Sequence, residues 1–186
     1  MRRKNTTSEM LMDYIVQALL LIMKEKSYQN ISISEITKKA GVNRSTYYRH
    51  FETKESIVQF YLNSIMQEYQ DAFRKNPCSD LRIYMLTMFE TFYSRKEGLL
   101  LIHDAGLSFL LLDVLNDHFH FKTIAKKSSS TQQFKASYHI GGIYNNLLLW
   151  FSHRMNETPV EMTQIALSYR PENSFTLFNT GEQDAF

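Results

Sequence analysis

Three prolines and six glycines in 186 residues leave little to interrupt helices, whereas Leu, Met, Lys, Gln and Glu, which lose little rotamer freedom in a helix, are common. The composition reads as mostly α. One cysteine, Cys78, excludes an intrachain disulfide, so nothing in the fold depends on an oxidising compartment. Long apolar runs are also missing. Asp13 and Gln17 break the stretch Leu11 to Met23, and His103, Asp104, Ser108 and Asp113 break Leu99 to Leu115. Neither approaches the roughly 20 apolar residues of a membrane span. Arg2, Arg3 and Lys4 precede the first stretch, but no small-x-small cleavage site follows it, which argues against a signal peptide. A soluble, cytoplasmic protein is expected. Its 44% hydrophobic residues suffice for a packed core in one large domain or two small ones, which excludes a fibrous or wholly disordered chain.

The net charge of +2 conceals an asymmetry. Residues 1–54 hold ten Lys and Arg against five Asp and Glu, a net +5, and the remainder holds eleven against fourteen, a net −3. Such a split suggests that the N-terminal part meets a polyanion while the rest does something else.

Along the chain, Leu11, Tyr14, Ile15, Ala18, Leu19, Ile22 and Met23 recur at the spacing of one buried helical face, with Ser8 or Thr7 as the cap and an end near Ser27 to Asn30. Ser32 and Glu35 then form an S-x-x-E capping box that starts a helix at about Ile33. Gly41 ends it, as the residue able to take positive φ. Asn43 is placed to cap a second short helix, Arg44 to about His50, which Phe51 closes. Two short helices separated by Gly-Val-Asn have the spacing of a helix-turn-helix.

In that motif the second helix enters the major groove, so it exposes donors on one face and apolar anchors on the other. Ile33, Ile36, Ala40, Val42, Tyr47 and Phe51, with Gly41 at the turn, form the inward set. Arg44, Ser45, Thr46, Tyr48, Arg49 and His50 remain outward, and Ser32 and Lys54 complete the candidate DNA-binding residues. Arg44 suits the guanine O6/N7 edge, and Ser45 or Thr46 a base edge or phosphate. Tyr48, His50 and Lys54 suit the phosphate backbone. Lys38 and Lys39 read equally well as a solvated face that complements the helix dipole.

Thr53 caps a further helix in which Ile57, Tyr61, Ile65, Tyr69 and Phe73 make one apolar stripe ending near Arg74, before Asn76, Pro77, Cys78 and Ser79 interrupt the pattern. Helices are expected at roughly 80–95, 97–104, 107–121, 130–155 and 159–169, with a polar loop at Lys126 to Thr131. Gly141 and Gly142 suggest a close backbone approach inside a buried helix. The expected fold is all-α, a three-helix helix-turn-helix domain over 1–54 followed by a helical bundle over 55–170 for dimerisation and effector response, and a loose tail over 171–186.

The segment ISISEITKKAGVNRSTYYRHFETKESIV carries a resemblance. Its Ala40-Gly41-Val42, Tyr48-Arg49-His50-Phe51 and Lys54-Glu55 resemble the DNA-binding region of the TetR family of transcriptional regulators, over about Ser8 to Tyr61. The resemblance implies Tyr48 and Lys54 on phosphates, the Arg44 to Thr46 turn over bases, and a homodimer on a partly palindromic double-stranded operator. From the family one expects a repressor released by a small-molecule effector. The C-terminal YHIGGIYNNLLLWFSHRMNETPVEMTQIA is similar to a subgroup that contains a coactivator of dihydroxyacetone-kinase genes, which responds through a partner protein. That likeness supplies the alternative, sensing through a partner.

Tyr84, Met88, Phe92, Phe109, Phe119, Phe121, Tyr144 and Trp150 offer material for an apolar pocket, but at helical spacing they read first as core or interface, and no effector residue is assigned. An enzyme reading fails on particulars. His118 and His120 diverge on a helix, Asp117 reads as a surface residue, His103-Asp104 lacks a nucleophile, Cys78 lacks companion metal ligands, and no phosphate-loop or nucleophile-elbow motif is present. No cofactor and no metal are expected.

Overall fold

The computed structural model describes residues 2–75, 80–119 and 129–168, with side chains from Ser8 onward. Among these residues all regular structure is helical. Helix α1 spans Arg2–Met23, a 3-10 turn Tyr28–Asn30, α2 Ile33–Ala40, α3 Arg44–His50 and α4 Lys54–Lys75. The second half holds α5 Leu81–Ser94, α6 Lys96–Asp104, α7 Leu110–His118, α8 Ser130–Ser152 and α9 Pro159–Ser168. The interruption at 76–79, His120, Phe121 and the tail expected over 171–186 lie outside the described residues.

Helix α1 packs on α2, α4 and α6, and that setting widens its buried face beyond the expected one. Ile15, Ala18 and Leu19 are buried as the spacing predicts, but Val16 and Leu20 join them while Tyr14 stands in solvent. A helix touched on several sides buries a wider arc than a simple i, i+3, i+4 stripe. Nor does the helix start at Thr7 or Ser8. It runs from Arg2, since no proline or glycine intervenes to stop it.

Helix α4 joins the two halves. Ile57, Tyr61, Ile65, Tyr69 and Phe73 are all buried along it, together with Val58, Leu62 and Met66. Its first turns lie beside α1 and its later ones against α5 and α7, so one continuous apolar core passes from the N-terminal helices into the C-terminal bundle. In that bundle α9 lies on α5 and α8 rests on α6 and α7. Tyr84, Met88, Phe92 and Phe119 are core residues. Trp150 packs edge-on to Phe89 and stacks on Tyr93, and its indole N–H donates to the Glu157 carbonyl at 3.0 Å. This satisfies the one polar atom that a buried tryptophan carries. Phe109 is exposed and Tyr144 half-buried.

The glycines of α8 do not make the close approach expected of them. A β-carbon at Gly141 or Gly142 would meet nothing within 4 Å. That contact belongs instead to Gly98 on α6, which lies against the Tyr61 ring of α4. Periodicity locates a glycine within a helix but does not say which face meets a neighbour.

Candidate nucleic-acid interface

The helix-turn-helix is built from short-range bonds that the sequence encodes locally. The Ser32 hydroxyl accepts from the Glu35 N–H at 3.2 Å, and Glu35 Oε2 accepts from the Ser32 N–H at 2.8 Å, which closes both halves of the capping box. Glu35 Oε1 also takes Lys26 Nζ at 2.7 Å and so ties the end of α1 to the start of α2. The Lys26 ammonium and the Ser32 donors hold the Glu35 carboxyl down at about 2. At the other end of α2, Gly41 sits at φ +68 and its N–H reaches the carbonyls of Lys38 and Thr37. Only glycine takes that left-handed cap without steric cost.

Asn43 occupies the N-cap position of α3 with extended backbone, yet its side chain makes no capping bond. The recognition helix is held from below instead. Tyr47 and Phe51 are buried with ring centroids 6.0 Å apart, and Phe51 meets Phe60 of α4 edge-on at 5.8 Å. Ile36 is fully buried, and Ile33, Ala40 and Val42 pack against the same cluster, so the inward set forms one anchor. The Tyr47 hydroxyl, buried as well, finds no hydrogen-bond partner among the described residues. Burial pushes its pKa up to about 12.

With one side of α3 pinned, the other is left open. Arg44, Ser45, Tyr48 and Arg49 are exposed, and Thr46 and His50 are half-exposed at the edges. Tyr48, 53% exposed, stands edge-on to Tyr47 with centroids 5.1 Å apart, which braces its ring. Seven-residue α3 thus presents two guanidinium groups, two aliphatic hydroxyls and a phenol from about two helical turns. Such donors suit base edges and phosphate oxygens. Ser32 is exposed, but its hydroxyl is engaged in the capping box.

Lys54 is placed differently from the outward set. Its ammonium donates to the carbonyls of Tyr28 and Ile31 at 2.9 and 2.8 Å and stands 4.5 Å from the centre of the Tyr28 ring. Next to it, Glu55 accepts from the Tyr28 hydroxyl at 2.8 Å. Burial, reinforced by that carboxylate, raises the Tyr28 pKa. Sequence reasoning assigned Tyr28 no role, and the only signal was an aromatic residue inside the polar turn SYQN.

The residues weighed for catalysis have structural partners. His103 lies between the hydroxyls of Ser108 and Ser152, Asp104 pairs with both oxygens to Arg154, and His118 meets the Asn63 side chain. Among the described residues no three His, Cys, Asp or Glu gather as a metal site, and no helix is long and apolar enough to cross a membrane.

Comparison with known proteins agrees with this geometry. Residues 15–59 match the family described as bacterial regulatory proteins, tetR family. The HTH-type transcriptional regulator YxbF of Bacillus subtilis (strain 168) is 36% identical over 56 residues, which are 30% of this chain and 15% of YxbF. YvdT of the same organism, also an HTH-type transcriptional regulator, is 32% identical over 57 residues, 31% of this chain and 29% of YvdT. The likeness thus spans less than a third of either relative's length. In three dimensions the fatty acid degradation regulator FadR from Bacillus halodurans superposes with a TM-score of 0.54 at 16% identity, covering 85% of this chain and 91% of FadR. That superposition shows a shared fold through both the helix-turn-helix and the C-terminal helices. Through its N-terminal region the chain is similar to the tetR family of bacterial regulatory proteins.

Proposed function

We propose that this protein is a sequence-specific DNA-binding transcriptional regulator, cytoplasmic and dimeric, that represses until a small-molecule effector releases it. The observation that carries the reading is α3, whose buried Tyr47 and Phe51 fix the helix while Arg44, Ser45, Tyr48 and Arg49 face outward. Residues 1–54 read the operator, and 55–170 dimerise and respond to the effector. The concentration of positive charge in 1–54 supports that division.

Dimerisation is supported by the outer face of α8. Phe134 is 75% exposed and Tyr138 87%, Leu149 continues the same face, and Gly141 and Gly142 leave its middle flat. Exposed large apolar side chains along one face of a long helix suit a two-fold partner, because a closed pair covers them on both subunits at once. Two copies so joined would place two α3 helices on successive turns of DNA.

Selection of bound sequences from random duplex DNA with the purified protein tests the reading. A single enriched, partly palindromic site is expected, with affinity that falls steeply as salt rises. Arg44→Ala should relax base preference at one position, and Tyr48→Ala should weaken binding across sequences while both variants keep the parent's helix content. An unenriched pool, or variants that bind like the parent, would show that α3 does not read DNA.

A further inference from the structure

We propose that Lys54 is a positioning residue, which together with Tyr28 and Glu55 clasps the start of α4 to the turn between α1 and α2 and thereby sets the angle at which α3 is presented. The inference rests on the DNA-binding reading, but it assigns Lys54 a role other than the phosphate contact its position suggests.

Three contacts converge there. Two of the three ammonium donors are spent on the carbonyls of Tyr28 and Ile31, at 2.9 and 2.8 Å, and the charge lies over the Tyr28 ring. The Tyr28 hydroxyl closes the loop by donating to Glu55. To reach a phosphate, Lys54 would have to give up two charge-assisted bonds, each stronger than a neutral one. As the first residue of α4, Lys54 also places a cation at the positive end of a helix dipole, where it weakens the helix unless something else compensates. The two carbonyls supply that compensation.

The topology gives the clasp its purpose. Its two ends are residues 28–31 and 54–55, so α2 and α3 lie within the loop of chain that it closes. A movement of α4 is then passed to the recognition helix through a fixed joint and is not absorbed in the connection at residues 51–53. The Glu35–Lys26 pair fastens the same turn from the side of α1.

Tyr28→Phe tests this without touching any group that faces DNA, since it keeps the ring under the ammonium and removes only the hydroxyl. On the duplex selected by the parent, Tyr28→Phe should lose about 5- to 10-fold in affinity, the loss expected of one part-buried hydrogen bond, and Lys54→Met, which removes two charge-assisted bonds, at least as much. Both should keep the parent's dependence on salt. Amide exchange at residues 28–31 and 54–56 should quicken in both variants. Lys54→Arg should not restore the affinity, because a planar guanidinium does not reproduce a compact ammonium between two carbonyls. The proposal is overturned if Lys54→Met reduces the salt slope by about one, if Lys54→Arg binds like the parent, or if Tyr28→Phe leaves both affinity and exchange unchanged. Failure of the underlying reading looks different, because the parent then binds no duplex at any salt, which removes the presentation role while amide exchange still reports whether the clasp holds.

Discussion

Tyr61 of α4 fills the space that a side chain at residue 98 of α6 would need. A β-carbon built on Gly98 would lie 2.8 Å from the Tyr61 Cζ and closer still to its hydroxyl, and the ring is buried. Gly98→Ala should therefore force α6 off α4 and cost about 1–3 kcal/mol, the usual penalty of overpacking. Adding Tyr61→Phe removes the nearest atom and should recover part of the loss. Thermal or urea unfolding of the single and double variants measures both effects.

Tyr47→Phe should behave in the opposite sense. The hydroxyl it removes is buried without a partner among the described residues, and an unmet polar group costs about 1–3 kcal/mol. The variant is expected to be at least as stable as the parent, and a fall in unfolding midpoint of more than a few degrees would mean that the hydroxyl has a partner after all.

Gly41→Ala tests the turn. At φ +68 any side chain strains the backbone, although no neighbour crowds the site. A loss of about 1–2 kcal/mol is expected. Gly41→Asn should lose less, since asparagine tolerates the left-handed region better. Equal losses for the two would point to crowding and not to backbone strain.

The capping box should respond to acid. Glu35 is held at about 2, mainly by the Lys26 ammonium and the Ser32 donors, below its ordinary 4.5. A lowered folded-state pKa means that the stabilisation is complete above the unfolded value and is lost as pH falls through the folded one. Between pH 4.5 and 2 the amides at the start of α2 should therefore lose protection. Glu35→Gln should flatten that response, which amide exchange as a function of pH can follow.

What the sequence made legible was mostly local. The Ser32–Glu35 box spans three residues, the Gly41 turn depends on one backbone angle, and Tyr47 and Phe51 lie one helical turn apart. The Tyr61 and Phe73 stripe of α4 was equally plain, because a single period governs it. Relations across the fold were not readable. Lys54 reaches 26 residues back to Tyr28, and no spacing rule links them. Gly98 and Tyr61 meet because α6 crosses α4, whereas the more conspicuous Gly141-Gly142 pair touches nothing. Tyr14 fits the periodic face of α1 and is exposed all the same, because three neighbouring helices decide which arc is covered.

Helix α4 begins at the clasp beside the recognition helix and ends among the C-terminal helices, without a break over 22 residues. A rod of that length measures about 33 Å. Turning it by about 5° about one end carries the other by roughly 3 Å, as much as the full length of a hydrogen bond. In the dimer proposed above, two subunits tilted in opposite senses would change the separation of their recognition helices by about twice that, so a modest rearrangement near Phe73 would be enough to carry α3 out of register with successive grooves of DNA.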